Sequence, residues 1–191
     1  MWIKHTVTRQ EKKGKLMMRV CLVGCGAAAE NLHIPAWRRI RDVELAALVD
    51  LNLDRARKMG RKMGVGFYQH LEDVHGKQID IVDICTPTAS HFPLARNALS
   101  NGYHVIIEKP ICVESRAGQI LTDLAKERGL KLGVVQHFIY SRAIMQARRK
   151  LDTGELGSDI VIDLSYPIAY AAPDDWSAAT EHGGLLWEHG I

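Results

Sequence analysis

Short apolar runs alternate with amphipathic segments along most of the chain, and this alternation is the main evidence for its fold. The runs have strand length and are mostly apolar, as buried parallel strands are. The predicted strands are Arg19–Val23, Val43–Asp50, Val65–Tyr68, Ile79–Cys85, His104–Ile107 and Lys131–Val135.

Helical patterns fill most of the gaps between these strands. We predict helices from about Ala27, over Asp54–Met63, Ser90–Leu99 and Glu114–Arg128, with a single helical turn at Leu71–Val74. Pro35 interrupts the first pattern, so this helix should break or kink within Leu32–Trp37. Strands that alternate with helices form βαβ units, which predicts an α/β fold with a doubly wound parallel sheet covered on both faces.

The alternation stops near residue 138. A helix is predicted for Tyr140–Leu151, then a turn at Gly154 and Gly157, then a long run of strand composition over Asp159–Tyr170. A helix that would cover this last strand is not predicted, so residues 138–191 resemble the start of an incomplete α+β domain. We expect this segment, made alone, to be loosely held or to drive association, as part of a substrate-binding or oligomerisation domain.

Charge and composition exclude several classes of function. The net charge is +3, but residues 18–191 carry 20 basic and 21 acidic side chains, so this part shows no bulk charge for nucleic acid or an anionic membrane. No apolar run reaches the length of a bilayer span, and the four cysteines lack zinc-ligand spacing, so we expect a cytoplasmic protein without a metal. The excess charge lies in residues 1–17, a predicted flexible basic leader.

A glycine turn follows the first predicted strand. Gly24-Cys25-Gly26-Ala27-Ala28-Ala29 has the G-x-G-x-x-A spacing of dinucleotide sites, placed between a strand and a helix as such a site requires. The second glycine would let the backbone approach a pyrophosphate, and the helix N-terminus would offer N–H groups to it. The alternative interpretation is a glycine turn without a ligand. Cys25 is either a thiol activated by the helix N-terminus or a small filler.

An acidic residue ends the second strand, 24 residues beyond Gly26. In a dinucleotide site Asp50 would bind the adenosine ribose hydroxyls and repel a 2′-phosphate, which favours NAD over NADP. Arg55 lies nearby and keeps NADP possible. The alternative role for Asp50 is to cap the helix that follows.

Two further turns lie at the carboxyl edge of the predicted sheet, where parallel sheets bind ligands. Thr86 and Pro87 follow the fourth strand, and Glu108-Lys109-Pro110 follows the fifth. Lys109 is the candidate for proton transfer, because oxidising an alcohol requires removal of the hydroxyl proton as hydride leaves. An exposed loop lysine without a catalytic role is the alternative.

The segments R-V-C-L-V-G-C-G, T-P-T-A-S-H and E-K-P, in this order and spacing, resemble the Gfo/Idh/MocA oxidoreductases over residues 18–191. The resemblance implies an N-terminal Rossmann domain, over residues 18–137, and hydride transfer between NAD(P) and an alcohol carbon of a sugar, inositol or related compound. It places Lys109 beside the nicotinamide, often before a cis proline. It also places Thr86, Pro87 and His91 on the cofactor side.

The second half of the chain both follows and departs from the family pattern. Gly154–Gly157 matches the turn before the family's first C-terminal strand, and residues 183–191 resemble its G-G-x-L-x-D-x-G-x-H helix, with Glu188 in place of Asp. The sequence ends one position before the family's acid/base histidine. Gln136 or His137 takes a polar substrate-side position, whereas Ile139 replaces a common arginine.

Two functions are therefore consistent with this sequence. The first is an NAD(P)-dependent dehydrogenase, present here as a fragment or truncated form, that would form homo-oligomers if its second domain were complete. The second is a dinucleotide-binding protein without catalysis, such as a redox sensor or corepressor-like relative. His33 is either turned towards the cofactor or packed as a helix-end histidine.

Overall fold

A computed structural model describes residues 11–12 and 15–161 of the chain. The chain divides after Val134 into two compact units. Within the stretch expected to be a leader, Glu11–Lys12 and Lys15–Leu16 pair as two short antiparallel strands. None of the helices in the described ranges is long and apolar enough to cross a bilayer.

Six parallel strands form the sheet of the first unit. In chain order the strands are Met18–Val23 (β1), Val43–Val49 (β2), Gly66–Tyr68 (β3), Ile81–Ile84 (β4), His104–Glu108 (β5) and Leu132–Val135 (β6). Their order across the sheet is β3-β2-β1-β4-β5-β6, so the strands start in the middle, proceed to one edge, return, and proceed to the other edge. In folds of this kind the reversal beside β1 leaves a crevice at the carboxyl ends of the strands.

Helices cover both faces of the sheet, which confirms the predicted doubly wound α/β fold. Neighbouring β1 residues point to opposite faces: Leu22 packs with one buried cluster, whereas Cys21 and Val23 belong to the other. Because both faces are covered, β1 is apolar without alternation. The α-helices are Ile34–Trp37 (α1), Leu53–Met63 (α2), His91–Ser100 (α3), Ser115–Glu127 (α4) and Arg142–Asp152 (α5), and Leu71–Val74 is a 3₁₀ turn.

The first helical segment contains a π-type turn, which is wider than an α-helical turn, and it continues without a break. Ala29–His33 forms a π-type turn in which the N–H of Ile34 donates to the carbonyl oxygen of Ala29, and α1 follows directly. Pro35 lies in the first turn of α1, where its missing N–H costs little. The change in the helical hydrogen-bond pattern therefore lies just before Pro35, the residue from which an interruption is predicted. Such π turns are frequent at functional sites.

The second unit is described only in part. Gln136 precedes a 3₁₀ turn at His137–Tyr140, and the Ser141 hydroxyl caps α5 by accepting from the N–H of Ile144. Of the long strand expected over 159–170, residues 159–161 are not in a strand, and residues 162–170 lie outside the described part of the chain.

Candidate functional site

The glycine turn between β1 and the first helix can be formed only by glycine at its first position. Gly24 has φ +94°, and its N–H donates to the carbonyl oxygen of Val49 at 2.8 Å. A Cβ built on Gly24 would lie 2.8 Å from the carbonyl oxygen of Cys85 and 2.9 Å from Cγ2 of Thr86. The absence of a side chain therefore lets the β1 turn pack directly against the end of β4.

The second glycine of the turn faces open space. A Cβ on Gly26 would meet no atom of the rest of the structure within 4 Å, and Ala27 is exposed. Ala29 is fully buried in the cluster under the helix, as the third small position of the motif requires. The N–H groups of the first helical turn lack intrahelical acceptors. An open backbone surface with donors and a positive dipole end fits the pyrophosphate of a dinucleotide.

Asp50 supports this turn from the end of β2. Its side chain is only 10% exposed, and Oδ2 accepts the N–H of Cys25 at 2.8 Å while Oδ1 accepts the N–H of Asn52 at 2.8 Å. An Nη of Arg55 lies 3.5 Å from Oδ2. The alternative that Asp50 caps α2 is wrong, because the side chain of Asn52 occupies the N-cap and accepts from the N–H of Arg55.

The Cys25 thiol lies inside this turn and is not activated. Burial, together with the nearby Asp50 carboxylate, raises its pKa to about 12, although the charge of Arg55 opposes this shift. The residue is 3% exposed, and its Sγ lies 3.8 Å from the carbonyl oxygen of Val49. Of the two interpretations of Cys25, the structure supports the small filler.

The turns after β4 and β5 are neighbours, because Ile84 of β4 pairs with Ile107 of β5. The first contains Thr86 and Pro87; the second contains Lys109, and the Lys109–Pro110 bond is cis, as the family resemblance implies. The structure therefore brings the predicted Thr86–Pro87 and Glu108–Pro110 segments together at one edge of the sheet.

His91 holds these two turns together. It is 1% exposed, and its ring nitrogens lie 2.8 Å from the carbonyl oxygens of Pro110 and Thr86. The Ser90 hydroxyl adds a 2.7 Å hydrogen bond to that of Thr86. His91 lies at the predicted location, but its contacts are with the backbone of the turns.

A buried ionic cluster beside these turns was not predicted. Nδ1 of His33 lies 2.9 Å from Oδ2 of Asp83, and Nε2 lies 2.8 Å from Oε1 of Glu108. The indole N–H of Trp37 also donates to Oδ2 of Asp83, at 2.6 Å. In the sequence, the feature that points to this cluster is Asp83, a carboxylate inside an apolar strand. A fully buried acidic group needs a partner.

The charges in this cluster shift each other's ionisation. Burial alone lowers the pKa of His33, but its hydrogen bonds to Asp83 and Glu108 more than offset this effect and raise the pKa to about 9. Burial raises the pKa of Glu108, but the hydrogen bond from His33 and the charge of His33 lower it overall. His33 is therefore a cation and Glu108 an anion at neutral pH.

Ligand atoms of His33, Asp83 and Cys85 lie within 4.8 Å of one another, a spacing that a metal ion could use. Both ring nitrogens of His33 are already engaged by carboxylates. Burial raises the pKa of the Cys85 thiol, and the charge of Asp83 raises it further. Since a thiol binds metal as the thiolate, this group is better described as a hydrogen-bonded cluster.

The two substrate-side candidates belong to the second unit. Gln136 is half-buried, whereas His137 is exposed and its ring centre lies 4.1 Å from that of Phe138. Their predicted contact with substrate remains a prediction.

Comparison with known proteins agrees with this arrangement. Residues 18–136 match the model of the GFO_IDH_MocA oxidoreductase family, NAD-binding Rossmann fold. An uncharacterised oxidoreductase of Bacillus subtilis is 31% identical over 83% of this chain and 44% of its own length. A dTDP-3,4-didehydro-2,6-dideoxy-α-D-glucose 3-reductase of Streptomyces violaceoruber is 28% identical over 88% of this chain and 50% of its own. The chain thus spans about half the length of these relatives.

Solved structures show the same fold. A 3-ketoreductase from Actinomadura kijaniata, in complex with NADP and TDP-benzene, superposes with a TM-score of 0.68 at 27% identity, over 72% of this chain and 43% of that one. A dehydrogenase from Bordetella pertussis, in complex with NADH and UDP-GlcNAcA, gives a TM-score of 0.70 at 25% identity, over 74% of this chain and 43% of that one.

Proposed function

Because the chain belongs to the Gfo/Idh/MocA oxidoreductases, we propose that it forms the cofactor-binding part of an enzyme that transfers hydride between NAD(P) and an alcohol carbon of a sugar, inositol or related compound. The observation that carries this proposal is the open backbone at Gly26, held by a turn that only glycine at position 24 can form. A pyrophosphate needs that approach, whereas a ligand-free turn does not.

In this proposal the residues from Gly24 to Ala28 hold the pyrophosphate through backbone N–H groups and the helix N-terminus. Asp50 faces the adenosine ribose, which favours NAD over NADP because a carboxylate repels a 2′-phosphate. Arg55 is 54% exposed and close to Asp50, so it is the group that would accept NADP if Asp50 were neutralised.

The nicotinamide, when bound, supplies or accepts the hydride. Lys109 binds the substrate oxygen, and polarises or deprotonates it as the carbon is reduced or oxidised. Thr86, Pro87 and Pro110 line the nicotinamide end, and Gln136 and His137 are candidate contacts of the substrate. We assign His91 and Glu108 the role of positioning the turns, because each has its polar atoms engaged inside the protein.

The substrate class rests on the relatives. The Streptomyces reductase acts on a nucleotide sugar, and a D-apiose dehydrogenase from Paraburkholderia graminis, named for a free sugar, is 29% identical over 78% of this chain. We also propose a cytoplasmic location, homo-oligomers when the second domain is complete, and no nucleic-acid partner. The balanced charge of residues 18–191 supports the last point.

Titration of the purified 191-residue chain with NADH and NADPH, by calorimetry and by nicotinamide fluorescence, tests this proposal. We expect saturable binding below millimolar concentration, with NADH bound more tightly. A panel of sugars, polyols and nucleotide sugars, each with NAD⁺ or NADP⁺ as the hydride acceptor, then tests turnover. Lys109→Met should keep the NADH affinity and lose turnover, because the lysine acts on substrate oxygen. No binding of either cofactor at millimolar concentration would overturn the proposal.

A further inference from the structure

A buried ionic bridge links the first helix to the turn that carries Lys109. His33, 7% exposed, ends the π-type turn and faces Asp83 through Nδ1 and Glu108 through Nε2, at 2.9 and 2.8 Å. An ionised carboxylate has no proton to donate, so a histidine that bonds to two of them carries a proton on both ring nitrogens. The geometry defines an imidazolium between two carboxylates.

The groups around this imidazolium come from three elements. Asp83 belongs to β4 and Cys85 follows that strand, with its Sγ 3.7 Å from Oδ1 of Asp83. Glu108 ends β5 and is followed by Lys109. Trp37 of α1 donates its indole N–H to Asp83. One fully buried carboxylate, that of Asp83, and one partly buried carboxylate, that of Glu108, thus face His33, and the neutral donors go to Asp83.

Glu108 transmits the position of His33 to the lysine. Its Oε1 accepts from His33, while its Oε2 accepts the backbone N–H of Lys109 at 3.0 Å. With both oxygens engaged and the side chain 13% exposed, Glu108 cannot rotate without losing a charge-assisted hydrogen bond. The backbone at Lys109 is therefore fixed relative to His33.

We propose that His33 is a positioning residue of the cofactor site. It ties the helix that starts at the Gly24–Gly26 turn to the Glu108–Lys109 turn, and so sets where Lys109 stands relative to the nicotinamide. This inference rests on the proposed function. The hydrogen bonds of His33 go to Asp83 and Glu108, so its loss should weaken the nicotinamide end and leave the pyrophosphate end intact.

A pair of ligands separates these two ends. NADH and ADP-ribose share the adenosine and the pyrophosphate, but only NADH has the nicotinamide. For His33→Gln we expect the NADH affinity to fall about tenfold, while the ADP-ribose affinity stays within about twofold of the unmodified chain. His75→Gln is the matched control, since His75 is a half-buried histidine whose side-chain contacts, with Asn97 and the ring of Tyr103, lie outside this cluster. It should leave both affinities unchanged.

Nitrogen NMR of the histidine rings tests the bridge without any ligand. The signals missing in His33→Gln identify His33, and we expect both of its ring nitrogens to be protonated at neutral pH, with titration near pH 9. If His33→Gln does not fold, Glu108→Gln, which keeps the side-chain size, replaces it. This variant should lower the pKa of His33, because one charged partner is lost, and reproduce the selective loss of NADH affinity.

The outcomes separate this proposal from the one it rests on. If the unmodified chain binds neither NADH nor ADP-ribose, the proposed function fails, and the positioning role fails with it. If both ligands bind but His33→Gln weakens them equally, or weakens neither, the function stands and His33 is only a stabilising residue. A His33 that titrates near the usual 6.5 also overturns the bridge.

Discussion

The two ends of the proposed cofactor crevice are built in different ways. At the Gly24–Gly26 turn the backbone itself forms the surface, and one carboxylate, Asp50, supports it through the N–H of Cys25. At the Lys109 turn, two buried histidines from other elements hold the chain in place. His91 bonds to the carbonyl oxygens of Pro110 and Thr86, and His33 bonds to Glu108.

The difference shows how a fold can make one binding surface from local sequence and another from tertiary contacts. A glycine turn between a strand and a helix needs few partners, because its conformation and its N–H groups do the work. A lysine on a loop needs its backbone fixed from outside, since a mobile side chain loses the benefit of a set orientation. Substitutions at the two ends should therefore have different signatures.

The largest expected effect is at the glycine end. Gly24→Ala places a Cβ 2.8 Å from a backbone oxygen at a positive φ, so we expect a loss of more than about 3 kcal/mol in the free energy of unfolding, measured with urea. Gly26→Ala is the control. Its Cβ has space, so its stability should be close to that of the unmodified chain while dinucleotide affinity falls. Equal stabilities of the two variants would contradict this account of the turn.

Raising the pH tests the lysine end. The pKa of His33, about 9, lies above the usual value of 6.5 in an unfolded chain. Its contribution to stability is therefore complete below about pH 6.5 and is lost as the pH rises through about 9, by at most about 3 kcal/mol. Urea unfolding of the unmodified chain and of His33→Gln across this range measures it. The stability difference between the two should shrink with pH; a constant difference would show that His33 is not a charged partner.

The next effect concerns the cofactor preference at the glycine end. Asp50→Ala removes the acceptor of the Cys25 N–H and the carboxylate that we propose faces the ribose, so we expect NADH affinity to fall about tenfold, or about 1.4 kcal/mol. The preference for NADH over NADPH should weaken or reverse, because Arg55 is then unpaired with Asp50. Calorimetric titration with both cofactors measures this. Unchanged affinities would remove Asp50 from the site.

The smallest expected effect distinguishes the N-cap of α2, formed by Asn52, from the proposed contact between Asp50 and the ribose. Asn52→Ala removes the side chain that accepts the N–H of Arg55 at the start of α2, which should cost about 1 kcal/mol of stability, measured by thermal or urea unfolding. The ratio of NADH to NADPH affinity should not change. A change in that ratio as large as that in Asp50→Ala would mean that the position of α2, rather than the Asp50 carboxylate, sets the preference.

Much of the fold and part of the site follow from the sequence alone. Apolar runs locate β1 to β6 within a few residues, because strands of a sheet covered on both faces are apolar along most of their length. The G-x-G-x-x-A spacing located the glycine turn, because φ and the lack of a side chain are local properties. The Lys109 turn was found through its likeness to a family rather than through local chemistry.

Only the tertiary structure decided which polar groups meet. Asp83 lies 50 residues and Glu108 lies 75 residues beyond His33 in the chain. Nothing in the local sequence pairs either carboxylate with His33. The π-type turn orients His33, and the strand order brings β4 and β5 beside each other under it. Local sequence determines backbone conformation and burial pattern, whereas the partner of a buried charge depends on which elements the fold makes neighbours.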